Sequence, residues 1–535
     1  MTRSDEADGA FGFDFDQGIS RRQLLTGVAG TGLVLGAGGV LGGYGAEVAA
    51  ASLERAQVKR GGTLRVGHAG AGKAESFNPG RGGSFIDTSR QYNLFDPLVR
   101  VRPDLSYAPG LALRWTHNKN STVWDIHLRP GVTFHNGKPF TADDLIYTLR
   151  SMGNPSHVGH FAVVNVRLRD LKKINRLTVR VPLKSPDAQL FGSFVNGNTV
   201  VIQDGEKDFS KPVGTGPFVF GSFTPGQRSH CTRNPNYWEK GKPYVDAWED
   251  ITIDDPQARL NALLGGQIDA MSSLDYNQAR AHQRKGDIHV VNAPSPSMHC
   301  IYMAVDKAPF NDNRVRQAFR LIPDRKALIN GAIAGYGTVG NDLFGRGYPY
   351  FAEMPVRPHD PERAKAMLKA AGAEGLKVTL HTSDAVPGFV EAATLFAQQA
   401  KAAGVTVTVK KEPASQYFDT STLYTHLDFA QDFWAAGSVG AWYQLAVESH
   451  AVWNETHWRD KSYDALIRKA QGAPNARTAN RLWRQVQKVQ YDQGGYIIWT
   501  NVNIVDAAAK YVKGVRPSSF TALGGWNYRS FWLDK

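Results

Sequence analysis

Apolar and polar positions along the chain change period several times, and each change marks an element. Leu64-Arg65-Val66-Gly67 reads as a strand, and Val123-Trp124-Asp125-Ile126-His127-Leu128 alternates with period two. Leu376-Lys377-Val378-Thr379-Leu380 and Val405-Thr406-Val407-Thr408-Val409 alternate in the same way. Phe218-Val219-Phe220 and a run ending in Arg233 flank a Pro225-Gly226 turn, which predicts a β-hairpin. Further strands fall at Ile251-Thr252-Ile253, at Ile497-Ile498-Trp499 and within 288–305, the last interrupted by Pro294 and Pro296. Helices are expected over 84–96, over 145–152 behind a Thr141 cap, over 256–264, and after Asn311, where Val315, Ala318, Phe319 and Ile322 keep helical spacing. Others are expected over 361–371, stopped by Gly372, over 387–403, stopped by Gly404, and as a pair within 461–493. The β-α-β order across 376–409 implies two parallel strands joined by a crossover helix, a doubly wound α/β arrangement. A chain of 535 residues is long for one core and should divide into two or three domains.

The first segment reads as a leader. Twin arginines, Arg21 and Arg22, precede a glycine-rich, mildly apolar run from Leu24 to Leu41, and Ala49-Ala50-Ala51 offers a small-residue cleavage site. We therefore expect residues 1–51 to be a twin-arginine signal peptide. The many glycines make the run too weakly hydrophobic for a good membrane span, and no cysteine near the cleavage site suggests a lipid anchor. Residues 1–51 carry a net −3, so the remainder carries +16. These charges are scattered, without a block of like sign or a zinc-finger or RNA-recognition motif, so no nucleic-acid partner is expected. Cys231 and Cys300 are the two cysteines, both in expected strands; buried thiols and a disulfide are equally open readings.

Several patterns that carry chemistry elsewhere are incomplete here. Gly67-x4-Gly72-Lys73 has phosphate-loop spacing, but Ala74 stands at the hydroxyl position and Asn78-Pro79-Gly80 breaks the helix that would follow. Gly437-Ser438-Val439-Gly440 has the wrong spacing for a nucleophile elbow, and Asp254-Asp255 before Pro256 reads as a capping turn. Of the 15 histidines none recurs at metal-ligand spacing, and Glu448-Ser449-His450 lacks the second histidine of a zincin helix. No nucleophile, base and orienter can be named together. The expectation is a protein with no catalytic residues, no cofactor and no tight metal site.

Six segments, taken in order, carry a family resemblance. They are Gly61-Gly62-Thr63-Leu64-Arg65-Val66-Gly67, Asp96-Pro97-Leu98-Val99, the stretch from Leu128 to Phe140, Val213-Gly214-Thr215-Gly216-Pro217-Phe218 with Arg233-Asn234-Pro235-Asn236-Tyr237-Trp238, the run from Pro309 to Ala318, and His359-Asp360-Pro361-Glu362-Arg363-Ala364-Lys365. Together they resemble the family 5 extracellular solute-binding proteins of ABC importers, which include oligopeptide, dipeptide and nickel binders. The resemblance implies an α/β, two-lobed periplasmic-binding-protein fold of type II with an extra subdomain inserted in lobe I. It divides the chain into lobe I at 60–97, 205–296 and 498–535, the insert at 98–204, and lobe II at 297–497. It also implies a monomer outside the cytoplasmic membrane, periplasmic or extracellular, that captures a peptide or peptide-like solute and delivers it to ABC permease subunits. Alternatives are a non-peptide solute such as a sugar or opine, a receptor for a membrane sensor, or a secreted hydrolase.

By the same resemblance, Asp428–Ser438 is a ligand-recognition loop with Trp434 lining the cleft. Gly437 falls where peptide binders of the family carry an aspartate, a departure that weakens a generic peptide role. The implied ligand-binding set is Ser84, Phe85, Ser273, Gln431, Trp434, Gly437 and Trp442. Trp442, Tyr443, Trp453 and Trp458 read either as a stacking surface or as lobe core.

Overall fold

The computed structural model describes residues 58–195, 197–413, 416–418, 423, 426–451 and 453–535. The leader reading at 1–51 lies outside the described residues. Lys59–Lys535 forms a compact unit built on two large sheets.

The first sheet runs in the order Phe218–Thr224, Arg228–Arg233, Ala247–Thr252, Thr63–His68, Ala270–Met271, Ile504–Ala508, His289–Ala293. Thr63–His68 lies at its centre, parallel to both neighbours, with Leu64 and Val66 fully buried. The second sheet runs Gly337–Val339, Tyr496–Val502, Met298–Met303, Phe429–Trp434, Lys377–Thr382, Thr406–Lys411. Tyr496–Val502 and Met298–Met303 are buried at every position, as central strands covered on both faces must be. One face packs against the helices Lys461–Gln471 and Ala476–Gln493, the other against Asn313–Phe319, Pro361–Ala370 and Phe389–Ala400. Lys377–Thr382 and Thr406–Lys411 pair in parallel across the helix between them.

The chain crosses between sheets twice. His289–Ala293 belongs to the first and Met298–Met303 to the second, so the first crossing spans the Pro294–Pro296 segment, where proline withholds the N–H that would continue the ladder. The second crossing falls at Asn503, between Tyr496–Val502 and Ile504–Ala508, later than the boundary at 498 read from sequence. Tyr496–Val502 stays in the second sheet because it is wholly buried and pairs with Met298–Met303 along its length.

A third, antiparallel sheet, Ala112–His117, Val123–Leu128, Thr178–Pro182 and Lys172–Asn175, has a core of its own running from Leu98 to Val201. The helix over it, Ala142–Ser151, starts three residues earlier than the apolar periodicity suggests. Thr141 and Asp144 form a capping box that satisfies the first N–H groups. Cys231 and Cys300 are both free and buried, one in each large sheet.

Candidate functional site

Three of the expected residues gather around the ends of the central strands of the first sheet. Ser84 caps the helix Phe85–Leu94 through a capping box with Asp87, its hydroxyl 2.6 Å from the carboxylate. That cap fixes the helix start and leaves Phe85, the first helical residue, 56% exposed. Phe85 meets the ring of Trp526 edge-on at 6.2 Å. Trp526 ends a turn in which Leu523, Gly524, Gly525 and Trp526 all have positive φ, a costly run that outside contacts must hold. Asp506 supplies one: it accepts from the Leu523 N–H at 2.6 Å and from the Ser273 N–H at 3.0 Å. Burial pushes the Asp506 carboxyl up to about 6, against those two hydrogen bonds. Ser273, exposed and at φ 57°, is thereby tied to the same turn.

Beneath this surface lies a buried polar network. The His68 imidazole sits 2.8 Å from the Ser272 hydroxyl, 3.0 Å from Asp250 and 3.1 Å from the Tyr528 hydroxyl. It also packs edge-on against Trp526 at 5.4 Å. The aromatic turn therefore rests on a hydrogen-bonded floor rather than on loose packing.

The second lobe brings together Trp434, Gly437 and Trp442. Phe429–Trp434 is a strand paired residue for residue with Met298–Met303, so the stretch read as a recognition loop is sheet for most of its length. Trp434 points into the lobe core and is 4% exposed, among Phe344, Trp442 and Trp453. Its indole N–H donates to Glu455 at 3.2 Å. The expectation of an open indole face at Trp434 is thus replaced by a buried one, because this strand face is covered by the helices packed on it. Glu455 is itself fully buried; burial and the nearby Asp432 carboxylate hold its pKa well above the ordinary range.

Trp442 is half-buried, at the end of the turn Val439–Trp442 that Ser438 caps. Its indole covers Gly437 so closely that an added Cβ would collide with the ring. The space an aspartate would need at 437 is filled by Trp442, which accounts for glycine there. Gln431 does not join this group. Three positions from Trp434 on one strand, it faces the opposite side of the sheet, where its carbonyl oxygen accepts from Thr382. Tyr443 is fully buried, while Trp453 and Trp458 are half-buried against the same core.

The 98–204 segment reaches the second lobe beside Gly437–Trp442. The Ala188 N–H donates to the Gln471 carbonyl at 3.0 Å, and Pro186 lies 2.6 Å from where a Cβ on Gly472 would stand. A Cβ on Gly192 would come within 2.8 Å of the Ser438 hydroxyl and 2.9 Å of that of Tyr107. Burial raises Tyr107 to about 12, opposed by its hydrogen bond with Ser438. Tyr348, from the second lobe, is 4% exposed and has no hydrogen-bond partner for its hydroxyl among the described residues. Sequence reasoning missed Trp526, Asp506, Tyr107 and Tyr348; the paired glycines before Trp526 were the available signal for its turn.

Among the described residues no group of three or more His, Cys, Asp or Glu is placed to hold a metal ion, and no helix is long and apolar enough to cross a membrane. What the site offers is two aromatic surfaces, one per lobe, with backbone groups around them, on sheets that the chain joins by two short crossings. Such an arrangement suits the enclosing of a solute.

Comparison with known proteins agrees. Residues 106–454 match the family model described as bacterial extracellular solute-binding proteins, family 5 Middle. Di/tripeptide-binding protein 4 of Pseudomonas aeruginosa is 28% identical over 449 residues, 76% of this chain and 83% of that protein. Heme-binding protein A of Haemophilus influenzae is 26% identical over 464 residues, 78% of this chain and 82% of that one. Among solved structures, the ABC transporter-associated periplasmic binding protein DppA from Helicobacter pylori, in complex with the peptide STSA, superposes with a TM-score of 0.75. It is 20% identical, covering 90% of this chain and all of that one, and shares the fold. The protein belongs to the bacterial extracellular solute-binding proteins of family 5, a family of binding proteins without enzymatic activity.

Proposed function

We propose that this protein captures a peptide or peptide-like solute between its two lobes and delivers it to the permease of an ABC importer. The observation that carries this reading is the pair of large sheets joined by two short crossings, with an aromatic surface on each. Relatives named for di- and tripeptides support the ligand class. Phe85 and Ser273 would meet the solute from the first lobe, with Ser84 fixing the helix that presents Phe85. Trp442 would meet it from the second lobe, with Gly437 leaving room for the indole and Trp434 bracing it from below. Gln431, on the other sheet face, would act through the strand rather than by contact. Export through the twin-arginine leader at 1–51 to the periplasm or cell exterior completes the proposal.

A thermal-shift panel of di- and tripeptides, glutathione, haem and sugars tests the ligand class. A ligand present at ~100 times its dissociation constant adds about 2.7 kcal/mol to stability. Stabilisation by peptides is the expected result. Stabilisation by haem or sugars alone would overturn the peptide reading while leaving solute capture intact. Replacing Arg21 and Arg22 with Lys should abolish export of a reporter fused to the leader; continued secretion would rule out the twin-arginine route.

A further inference from the structure

A separate cavity of about 260 Å³ lies within the first lobe and its insert, where the turn 78–81 meets the end of the helix Ala142–Ser151 and the segment 200–209. None of the residues assigned to solute capture above lines it. Part of its lining is apolar: Met152 and Val200 are each 1% exposed, Ile202 is 5% exposed, and Phe209 is half-buried, beside the polar Thr148, Ser151 and Asn154. Its walls are preformed. The Pro79 carbonyl accepts from the Asn198 amide at 3.1 Å, the Gly80 N–H donates to Asn78 at 2.8 Å, and the Val158 N–H donates to the Gly80 carbonyl at 3.0 Å. A Cβ on residue 80 would stand 2.8 Å from the His157 ring, so any larger residue would push that ring aside.

The rim carries one cation and one anion that do not neutralise each other. Arg81 is exposed and makes no side-chain hydrogen bond or ion pair among the described residues. The Glu206 carboxylate accepts from the Asp208 N–H at 3.0 Å and pairs with no cation among the described residues. Burial, with the neighbouring His160, pushes His157 down to about 4, so it adds no charge at neutral pH. An apolar strip beside one unpaired guanidinium and one unpaired carboxylate is complementary to a small zwitterion with an apolar tail. At about 260 Å³ the space accommodates a branched aliphatic side chain with its charged head.

We propose that this cavity binds a free aliphatic α-amino acid. Its carboxylate is held by Arg81, its ammonium by Glu206, and its side chain lies on Met152, Val200 and Ile202. The site is distinct from the interlobe surfaces and does not depend on which solute they take.

Isothermal titration of the full chain with L-leucine, with 4-methylpentanoate (no ammonium) and with isoamylamine (no carboxylate) tests this. Leucine should bind, and each analogue should bind at least tenfold more weakly. Arg81→Gln, an exposed change that leaves the core intact, and Met152→Trp, which fills the cavity, should each weaken leucine binding tenfold or more, with circular dichroism confirming the fold. No binding of leucine would overturn the proposal. So would leucine binding that survives Arg81→Gln, or binding of 4-methylpentanoate as tight as that of leucine.

Discussion

Trp434 and Trp442 touch, with ring centroids 5.2 Å apart, yet their exposure assigns them different tasks. Trp434 is enclosed and its indole N–H is held by Glu455, so Trp434→Ala would open a large cavity and leave a buried acceptor unpaired. Urea denaturation should register a loss of about 3–5 kcal/mol. A loss below about 1 kcal/mol would mean the ring is not core. Trp442 is half-open, so Trp442→Ala should lower stability far less and weaken peptide binding by about 1–3 kcal/mol. Affinity unchanged in that variant would remove Trp442 from the solute surface. At this scale the sequence was only partly readable. The aromatic cluster from Trp434 to Trp458 was visible, but which members turn inward depends on strand register, and a residue three positions along a strand changes face. Gln431 was grouped with Trp434 through the resemblance carried by the 428–438 segment, and the sheet separates them.

Elements were easier to read, because their ends carry local chemistry. Asp360 before Pro361 and Asp255 before Pro256 cap the helices where the sequence suggests. The strands at 377–382 and 406–411 follow their alternation. The helices Tyr276–Lys285 and Arg325–Ala332 escaped notice, although Asp275 and Asp324 cap them, because their apolar faces are short. The turn at 522–526 was signalled only by its paired glycines: its left-handed backbone also depends on Asp506, sixteen residues before Ala522. That carboxyl gives the element a pH dependence with a definite sign. Its folded pKa of about 6 exceeds the ordinary unfolded value near 3.9, so the folded state keeps a proton that the unfolded state releases. The burial penalty is absent below about pH 4, grows as pH rises, and is complete above about pH 6. Compared with Asp506→Asn, the wild type should lose about 3 kcal/mol of relative stability between those limits. Chemical denaturation at pH 4 and pH 7 measures this, and a pH-independent difference would contradict the assignment. Asp187, likewise pushed up to about 6 by burial, is present in both proteins and cancels.

The whole molecule is two sheet-centred lobes joined at 294–297 and 503, with the 98–204 segment reaching from the first to the second beside Gly437–Trp442. Pro294 and Pro296 marked the first crossing in the sequence. The second carries no such mark, since Tyr496–Val502 and Ile504–Ala508 follow each other with Asn503 alone between them and no proline or glycine. In the proposed capture, the two short crossings serve as hinges and the solute lies between the aromatic surfaces. The most direct test is native mass spectrometry of the full chain incubated with a defined mixture of di- and tripeptides, wild type beside Trp442→Ala. The account predicts that the wild type retains one or a few peptide masses and that the variant, still folded, retains them weakly. Retention of no peptide by the wild type, or equal retention by both proteins, would contradict it.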